Sequence, residues 1–381
     1  MPKFIESTTC YQLPPPYRFS DVATHVFGLE ADWQGLSAYC DKFLNGDGNP
    51  DWSSPYYFKP VAPFGFLCVA YYPAMEAVIP EYQPAGSWRQ NEVYFTFPVV
   101  RYWKIGKILL PLELNFAIPF IAVDEPGSAI VGREVLGLEK LVGAFEFSRR
   151  DGEGTVGPRN WQNLNISIEG TAALAPGSPG RNIKALEITL GDEDREFKGD
   201  RFPFADLRTE LSLHAPNAKD NRDHLVSIPR VRAPGLLSTV TLKQFRDPVH
   251  VHRALYQALV GYDTKIERPR PESGCWPVHY KTDHPTSIIV HKDNADLTLA
   301  LAWANGSASI ESGAKVVITP KFAYGFIAKE MLIDEFATVH VESGRPPDPR
   351  RAISEGLYSA GLNWRFGPFA GEGRVGLRSW K

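Results

Sequence analysis

Hydrophobic and polar positions alternate with a period of two along much of the chain, the pattern of half-buried strands. From Asn91 to Val100, the residues Val93, Phe95, Phe97 and Val99 alternate with Glu92, Tyr94, Thr96 and Pro98, which puts Glu92 on the face opposite the phenylalanines. Phe116 to Val123 predicts another strand, Asp124-Glu125-Pro126-Gly127 a turn, and Ala129 to Glu134 the strand returning as its partner. Leu297, Leu299, Leu301 and Trp303 alternate with Asp296, Thr298, Ala300 and Ala302, and Ala314 to Thr319 and Ala337 to Val341 read as further short strands. Helical spacing occurs in two places. Asp32 can cap a helix whose Leu36, Tyr39, Cys40, Phe43 and Leu44 share a face, with Asn45-Gly46 as its stop. Asp247-Pro248 is a natural N-cap and first residue for a second helix, with Val251, Leu255, Leu259 and Tyr262 as its apolar face.

No fixed-period repeat interrupts this β-rich pattern. Ala175 to Gly180 and Gly191 to Asp200 read as loops. The Pro-, His- and Lys-rich stretch 268–286 suggests a first unit over 1–280, followed by a C-terminal extension over 281–381 packed on it. Ser343 to Pro349 reads as a linker. At 381 residues, 43% hydrophobic and 22% charged, the composition is globular and excludes a disordered chain. A net charge of −3 gives no basic excess, so a nucleic-acid partner is not expected. The apolar stretch Leu109 to Val123 is broken by Pro111, Glu113, Asn115 and Pro119, and the N-terminal residues hold no apolar signal core. A soluble, cytoplasmic protein with no membrane partner is therefore expected. Cys10, Cys40, Cys68 and Cys275 form no C-x-x-C pair and read as buried small hydrophobes.

The candidate chemistry lies in Ala129 to Gly143, AIVGREVLGLEKLVG. Taken alone, Arg133 and Glu134 suit a solvated pair, and Lys140 a lysine that extends from a strand edge over apolar neighbours. His250 and His252, near Asp247 and upstream of His279, His284 and His291, raise a metal site. In the first turn of a helix, however, positions i and i+2 point apart, and no metal is expected. Neither a phosphate-binding loop nor G-x-S-x-G occurs, and no cofactor is expected. The tryptophans and tyrosines suit either core packing or a flat-ligand groove.

The order of motifs resembles the acetoacetate decarboxylase superfamily. An apolar strand and an Asp-containing turn lead to Gly132-Arg133-Glu134 and then to Lys140. Pro16-Tyr17-Arg18-Phe19 resembles an N-terminal element of the family. Glu92, six residues before Pro98, resembles the acid of its active-site strand. Thr241 to Asp247 followed by Ala254 to Gln257 is similar to a late strand and helix. The resemblance spans roughly residues 14 to 265. The family's decarboxylases commonly read G-x-P-K-K where this chain has Gly137-Leu138-Glu139-Lys140-Leu141, and Val22 falls where an arginine is looked for.

The resemblance implies an α+β, β-rich fold: a closed, cone-shaped β-barrel with helices packed outside, assembled as a homo-oligomer. It also implies a carbon–carbon lyase, decarboxylase-like, that acts on a keto acid or related carbonyl compound through a Schiff base at Lys140. Glu92 is the expected acid/base, and Arg133 and Glu134 the expected substrate-binding residues. A Schiff-base aldolase or dehydratase of secondary metabolism, and a ligand-binding barrel without turnover, are the alternatives. A free lysine titrates near ~10.4, so an imine-forming lysine needs its charged form destabilised by roughly 4 to 5 kcal/mol. Acetoacetate decarboxylase is itself a known case of a lysine activated by desolvation or a neighbouring cation. Leu141 replaces that cation here, which leaves apolar walls as the expected agent. In an extended segment Leu138 and Val142 would share the face of Lys140, while Glu139 points away.

Overall fold

The computed structural model describes residues 13–47, 52–149, 156–158, 160–169, 182–193, 236–246, 248, 254–267, 278–279, 286–291, 308–311 and 315–341. Within them, strands dominate and helices are few. In chain order the strands are β1 (Tyr17–Glu30), β2 (Tyr56–Pro60), β3 (Phe64–Ala77), β4 (Trp88–Ile105), β5 (Ile108–Val123), β6 (Leu141–Ser148), β7 (Asn163–Glu169) and β8 (Asn182–Thr189). They continue as β9 (Leu236–Arg246), β10 (Ala254–Ile266), β11 (Val278–His279), β12 (Ser287–His291), β13 (Ala308–Glu311), β14 (Lys315–Ile318) and β15 (Phe322–Val341). Helix α1 (Trp33–Tyr39) continues into a wider turn over Cys40–Leu44, and α2 (Pro126–Val131) into a similar turn over Gly132–Leu136.

One run of pairings, β5-β9-β10-β15-β1-β3-β4, returns to its start because β4 also pairs with β5. β2 pairs with the outer stretch of β4, and β6-β7-β8-β12-β14-β13 continue from β5. Because both faces of the ring strands are covered, each face carries its own apolar cluster. Val93, Phe95, Phe97 and Val99 of β4 join Leu36 of α1, Cys40 and Leu44 of the turn after it, and Leu164, Ile166 and Ile188 of β7 and β8. The opposite faces supply Val22, Phe66, Ala70, Phe116, Ile121, Tyr262 and Phe326, which pack with Val131, Leu136 and Leu138. Both clusters exclude water on the two sides of a sheet whose polar backbone groups are satisfied by the ladder.

Asp32 caps α1 as expected, accepting from Gln34 N at 3.3 Å and Gly35 N at 2.9 Å. The strands over Asn91–Val100, Phe116–Val123 and Ala337–Val341 fall within β4, β5 and β15; β14 takes Lys315–Ile318 of the strand expected over 314–319, and β9 the described part, Thr241–Arg246, of the stretch 241–247. Cys40 and Cys68 are free and buried. Two expectations are corrected. Ala129 to Glu134 is helical rather than a returning strand. β6 runs parallel to β5, pairing Ala122 with Leu141 and Val123 with Val142, and parallel neighbours need a crossover rather than a hairpin. Pro126 starts that crossover helix while the Glu125 carboxylate caps it, accepting from Gly127 N at 3.0 Å.

The helix expected over Val251 to Tyr262 is instead β10 from Ala254 onward, paired with β9 on one side and β15 on the other. Gly261 disfavours a helix there, and Leu255, assigned to the apolar face, is exposed. The strand predicted over Leu297 to Trp303, the loop Ala175–Gly180 and the linker Ser343–Pro349 lie outside the described residues, as do Asp247, Val251, Cys10 and Cys275. Residues beyond 281 contribute β12 to β15 to the same set of pairings, with β15 between β1 and β10. Among the described residues, no helix is long and apolar enough to cross a membrane.

Candidate active site

The approach of β6 to the end of β5 brings Lys140, the residue before β6, to Glu92 on β4. Glu92 pairs with Val123, which in turn pairs with Val142. The Lys140 Nζ lies 2.7 Å from Glu92 Oε2 and donates to Ser128 Oγ of α2 at 3.1 Å. Both charged side chains are buried, with 6% and 8% of their surface exposed. The other carboxylate oxygen, Glu92 Oε1, accepts from the Tyr72 hydroxyl at 3.2 Å, and Gln90 Nε2 lies 3.5 Å from Oε2. Burial pushes the Tyr72 hydroxyl well above its ordinary range, and the adjacent Glu92 carboxylate adds to this. Tyr72 therefore remains a proton donor to Glu92 across the physiological range.

Local sequence explains the placement. Asp124 closes the open end of the β4–β5 pair next to Glu92, its two oxygens accepting from Asn91 N and Nδ2 at 2.6 Å each. Gly132, the glycine of the G-R-E motif, lets the helical turn lie against the lysine stem. A Cβ there would sit 2.7 Å from both Cδ and Cε of Lys140. Gly137 takes a left-handed conformation at φ 69°, and a Cβ on it would come within 3.0 Å of the Lys243 backbone. Leu138 N then donates to Gly132 O at 2.9 Å and Lys140 N to Leu138 O at 2.8 Å, a tight path that turns Lys140 toward β4.

Of the residues expected from sequence, Lys140 and Glu92 are brought together. Arg133 is exposed and Glu134 half-buried on the turn after α2, and neither bonds to that pair. Glu134 sits close enough to Lys243 to offset in part the lowering that burial imposes on that amine. Leu138 is buried and Glu139 exposed, in line with their expected faces, but Val142 is only half-buried. The expectation that Lys140 meets only apolar walls is corrected, because Glu92 sets an opposite charge against its amine. Ser128, Tyr72 and Gln90 were not singled out by sequence reasoning. Extending the alternation of β4 two residues back from Glu92 would have found Gln90. Among the described residues, no group of three or more His, Cys, Asp or Glu side chains could hold a metal ion. His291 instead contacts Glu187 Oε1 at 2.6 Å, while His250, His252 and His284 lie outside the described residues.

No family model and no curated protein matches the chain. Solved structures do. The chain is structurally similar to acetoacetate decarboxylase. For the enzyme from Legionella pneumophila the TM-score is 0.43 at 12% identity, covering 88% of this chain and 92% of that one. The enduracididine biosynthesis enzyme MppR gives 0.46 at 13% identity, covering 88% and 92%. An acetoacetate decarboxylase-like enzyme from Sphingomonas wittichii RW1 gives 0.39 at 13% identity, covering 84% and 93%.

Proposed function

We propose that this protein is a carbon–carbon lyase that acts on a keto acid or related carbonyl compound through a Schiff base at Lys140, with Glu92 as the acid/base. The observation that carries the reading is the buried 2.7 Å contact between Lys140 Nζ and Glu92 Oε2. At that distance a proton can pass directly from the lysine to the carboxylate. Transfer to Glu92 leaves a neutral amine that attacks the carbonyl carbon, and the protonated Glu92 then gives its proton to the departing hydroxyl as water leaves. The resulting iminium takes up the electron pair of the adjacent carbon–carbon bond as that bond breaks. In a decarboxylation the other fragment leaves as carbon dioxide; a proton from solvent is added to the enamine carbon, and re-entry of one water releases the product and returns the amine, the carboxylate and the one proton held between them.

Ser128 and Tyr72 hold the two ends of the pair during these transfers. Arg133, exposed on the turn that carries Gly132, is assigned an anionic group of an arriving substrate, and Glu134 beside it the mouth of the same site. The finer architecture belongs to the same proposal: the ring of seven strands closes a cone-shaped barrel whose interior is the face bearing Glu92.

Incubation with a panel of ketones and keto acids plus a mild hydride donor should fix one ligand at Lys140, read by intact mass and peptide mapping. Lys140→Arg should fold and give neither adduct nor turnover, because a guanidinium stays protonated. Glu92→Gln should slow adduct formation by roughly 10²-fold or more, the scale of a lost general acid/base. An adduct-free wild type across the panel, or an active Lys140→Arg variant, would overturn the Schiff base.

A further inference from the structure

Two side chains on the face of the Lys140–Glu92 pair hold polar atoms that the described residues leave unbonded, Gln90 Oε1 and Thr24 Oγ1. Gln90 is 2% exposed and Thr24 3%. Buried polar atoms are almost always bonded, because an unmet one keeps its full desolvation penalty. Two on one face, beside a buried lysine, call for a ligand.

Their geometry says what kind. Gln90 stands two residues before Glu92 on β4, so the two side chains share a face. The amide nitrogen is the atom turned to Glu92, at 3.5 Å, since an amide oxygen there would set two acceptors against each other. Oε1 is left on the far side as an acceptor with nothing to accept among the described residues. Thr24 reaches the same face from β1: it pairs with Ala70, which pairs with Glu92, and on its other side with Phe326. Directly opposed residues project together, and Ala70 and Phe326 both belong to the cluster that holds Leu138. Two strand spacings set Thr24 about 10 Å across the sheet from Glu92.

We propose that Gln90 and Thr24 form the recognition pole of this site and that its substrate is a hydroxylated carbonyl compound, a specification that rests on the Schiff-base reading of Lys140. Gln90 Oε1 only accepts, so it takes a hydroxyl hydrogen and repels a carboxylate; the adjacent Glu92 strengthens that bias. The Thr24 hydroxyl both donates and accepts, and so suits a second polar group further along the ligand. The reacting carbonyl lies between them, over Lys140.

Hydride trapping with acetone, hydroxyacetone and dihydroxyacetone tests this. Each ligand is titrated against wild type, Gln90→Met and Thr24→Val, and half-saturating concentrations are compared as hydroxylated-to-acetone ratios, which cancel intrinsic carbonyl reactivity. The wild-type preference should shrink about tenfold in Gln90→Met for hydroxyacetone, and in Thr24→Val for dihydroxyacetone, the scale of one hydrogen bond to a buried group. Thr24→Val should also melt no lower than wild type, because its hydroxyl bonds nothing among the described residues. Ratios unchanged in both variants, or a lower melting temperature in Thr24→Val, overturn the proposal. If acetone and both hydroxylated ketones leave Lys140 unlabelled, the Schiff-base reading fails by itself. Thermal shifts then decide the pole: stabilisation of wild type by dihydroxyacetone and not by acetone, lost in the variants, upholds it, and equal shifts sink it.

Discussion

His25 lies outside the proposed chemistry yet dictates a pH response. Burial pushes its imidazole down from 6.5 to about 4, and its ring packs against Trp161 with centroids 4.9 Å apart. The folded state therefore holds it neutral in a range where the unfolded chain binds a proton. Stability is complete above pH 6.5, falls as the pH drops from 6.5 towards 4, and loses up to about 3 kcal/mol in that window. Urea midpoints measured across it should show this decline, and His25→Phe should flatten it; parallel curves for the two proteins would remove His25 as the source. At this scale the sequence is partly legible. Lys140 is marked by its motif and Glu92 by strand alternation, but their contact joins residues 48 apart and depends on the crossover through α2. Gly132 carries a clue that was open to reading: a glycine inside a helical turn is costly unless something must approach it, and here it is the stem of Lys140.

Among elements, the open end of the β4–β5 pair is what sets the site. Asp124 follows β5, and its carboxylate replaces a ladder rung by accepting from both Asn91 N and Nδ2, one residue from Glu92. Asp124→Ala should leave the Asn91 N–H without its acceptor and cost about 1–3 kcal/mol. Adduct formation at Lys140 should slow together with the fall in melting temperature, because Glu92 loses its anchored neighbour. Asp124→Asn, which keeps one acceptor oxygen, should lose less of both. A melting temperature equal to wild type in Asp124→Ala would show that the clamp is dispensable. The same residues show why local patterns mislead. Asp-Glu-Pro-Gly carries turn residues, yet Glu125 and Pro126 serve as cap and first residue of α2, since the next strand is parallel. In β10 the spacing of Leu255, Leu259 and Tyr262 fits a helix, but Leu259 and Tyr262 are buried by flanking strands and Leu255 is exposed. Pairing on both edges overrides the apparent period.

For the whole molecule, alternation predicts strands but not their neighbours, and the ring is made by neighbours distant in sequence. β15 is the extreme case. It pairs with β1 from Tyr17 opposite Ile333 to Gly28 opposite Phe322, and with β10 along its other edge. The shift in composition at 268–286 suggests an end to the first unit, yet strand pairing runs across it, because hydrogen-bond partners leave no mark in local composition. A chain ending at 280 tests what that pairing contributes. It would lose β15 from between β1 and β10, exposing two strand edges, and would take Phe326, Ala328 and Met331 out of the cluster on the Glu92 face. Losing one buried phenylalanine side chain alone costs about 3–5 kcal/mol, a large part of the stability of an ordinary domain. The truncated chain should therefore aggregate or retain far-ultraviolet circular dichroism without a cooperative melt, and should form no adduct at Lys140. Supplying residues 281–381 as a separate polypeptide during refolding should restore part of the adduct yield if β15 can re-enter its slot. A soluble 1–280 chain that melts cooperatively and labels Lys140 at the wild-type rate would show that the ring does not need β15.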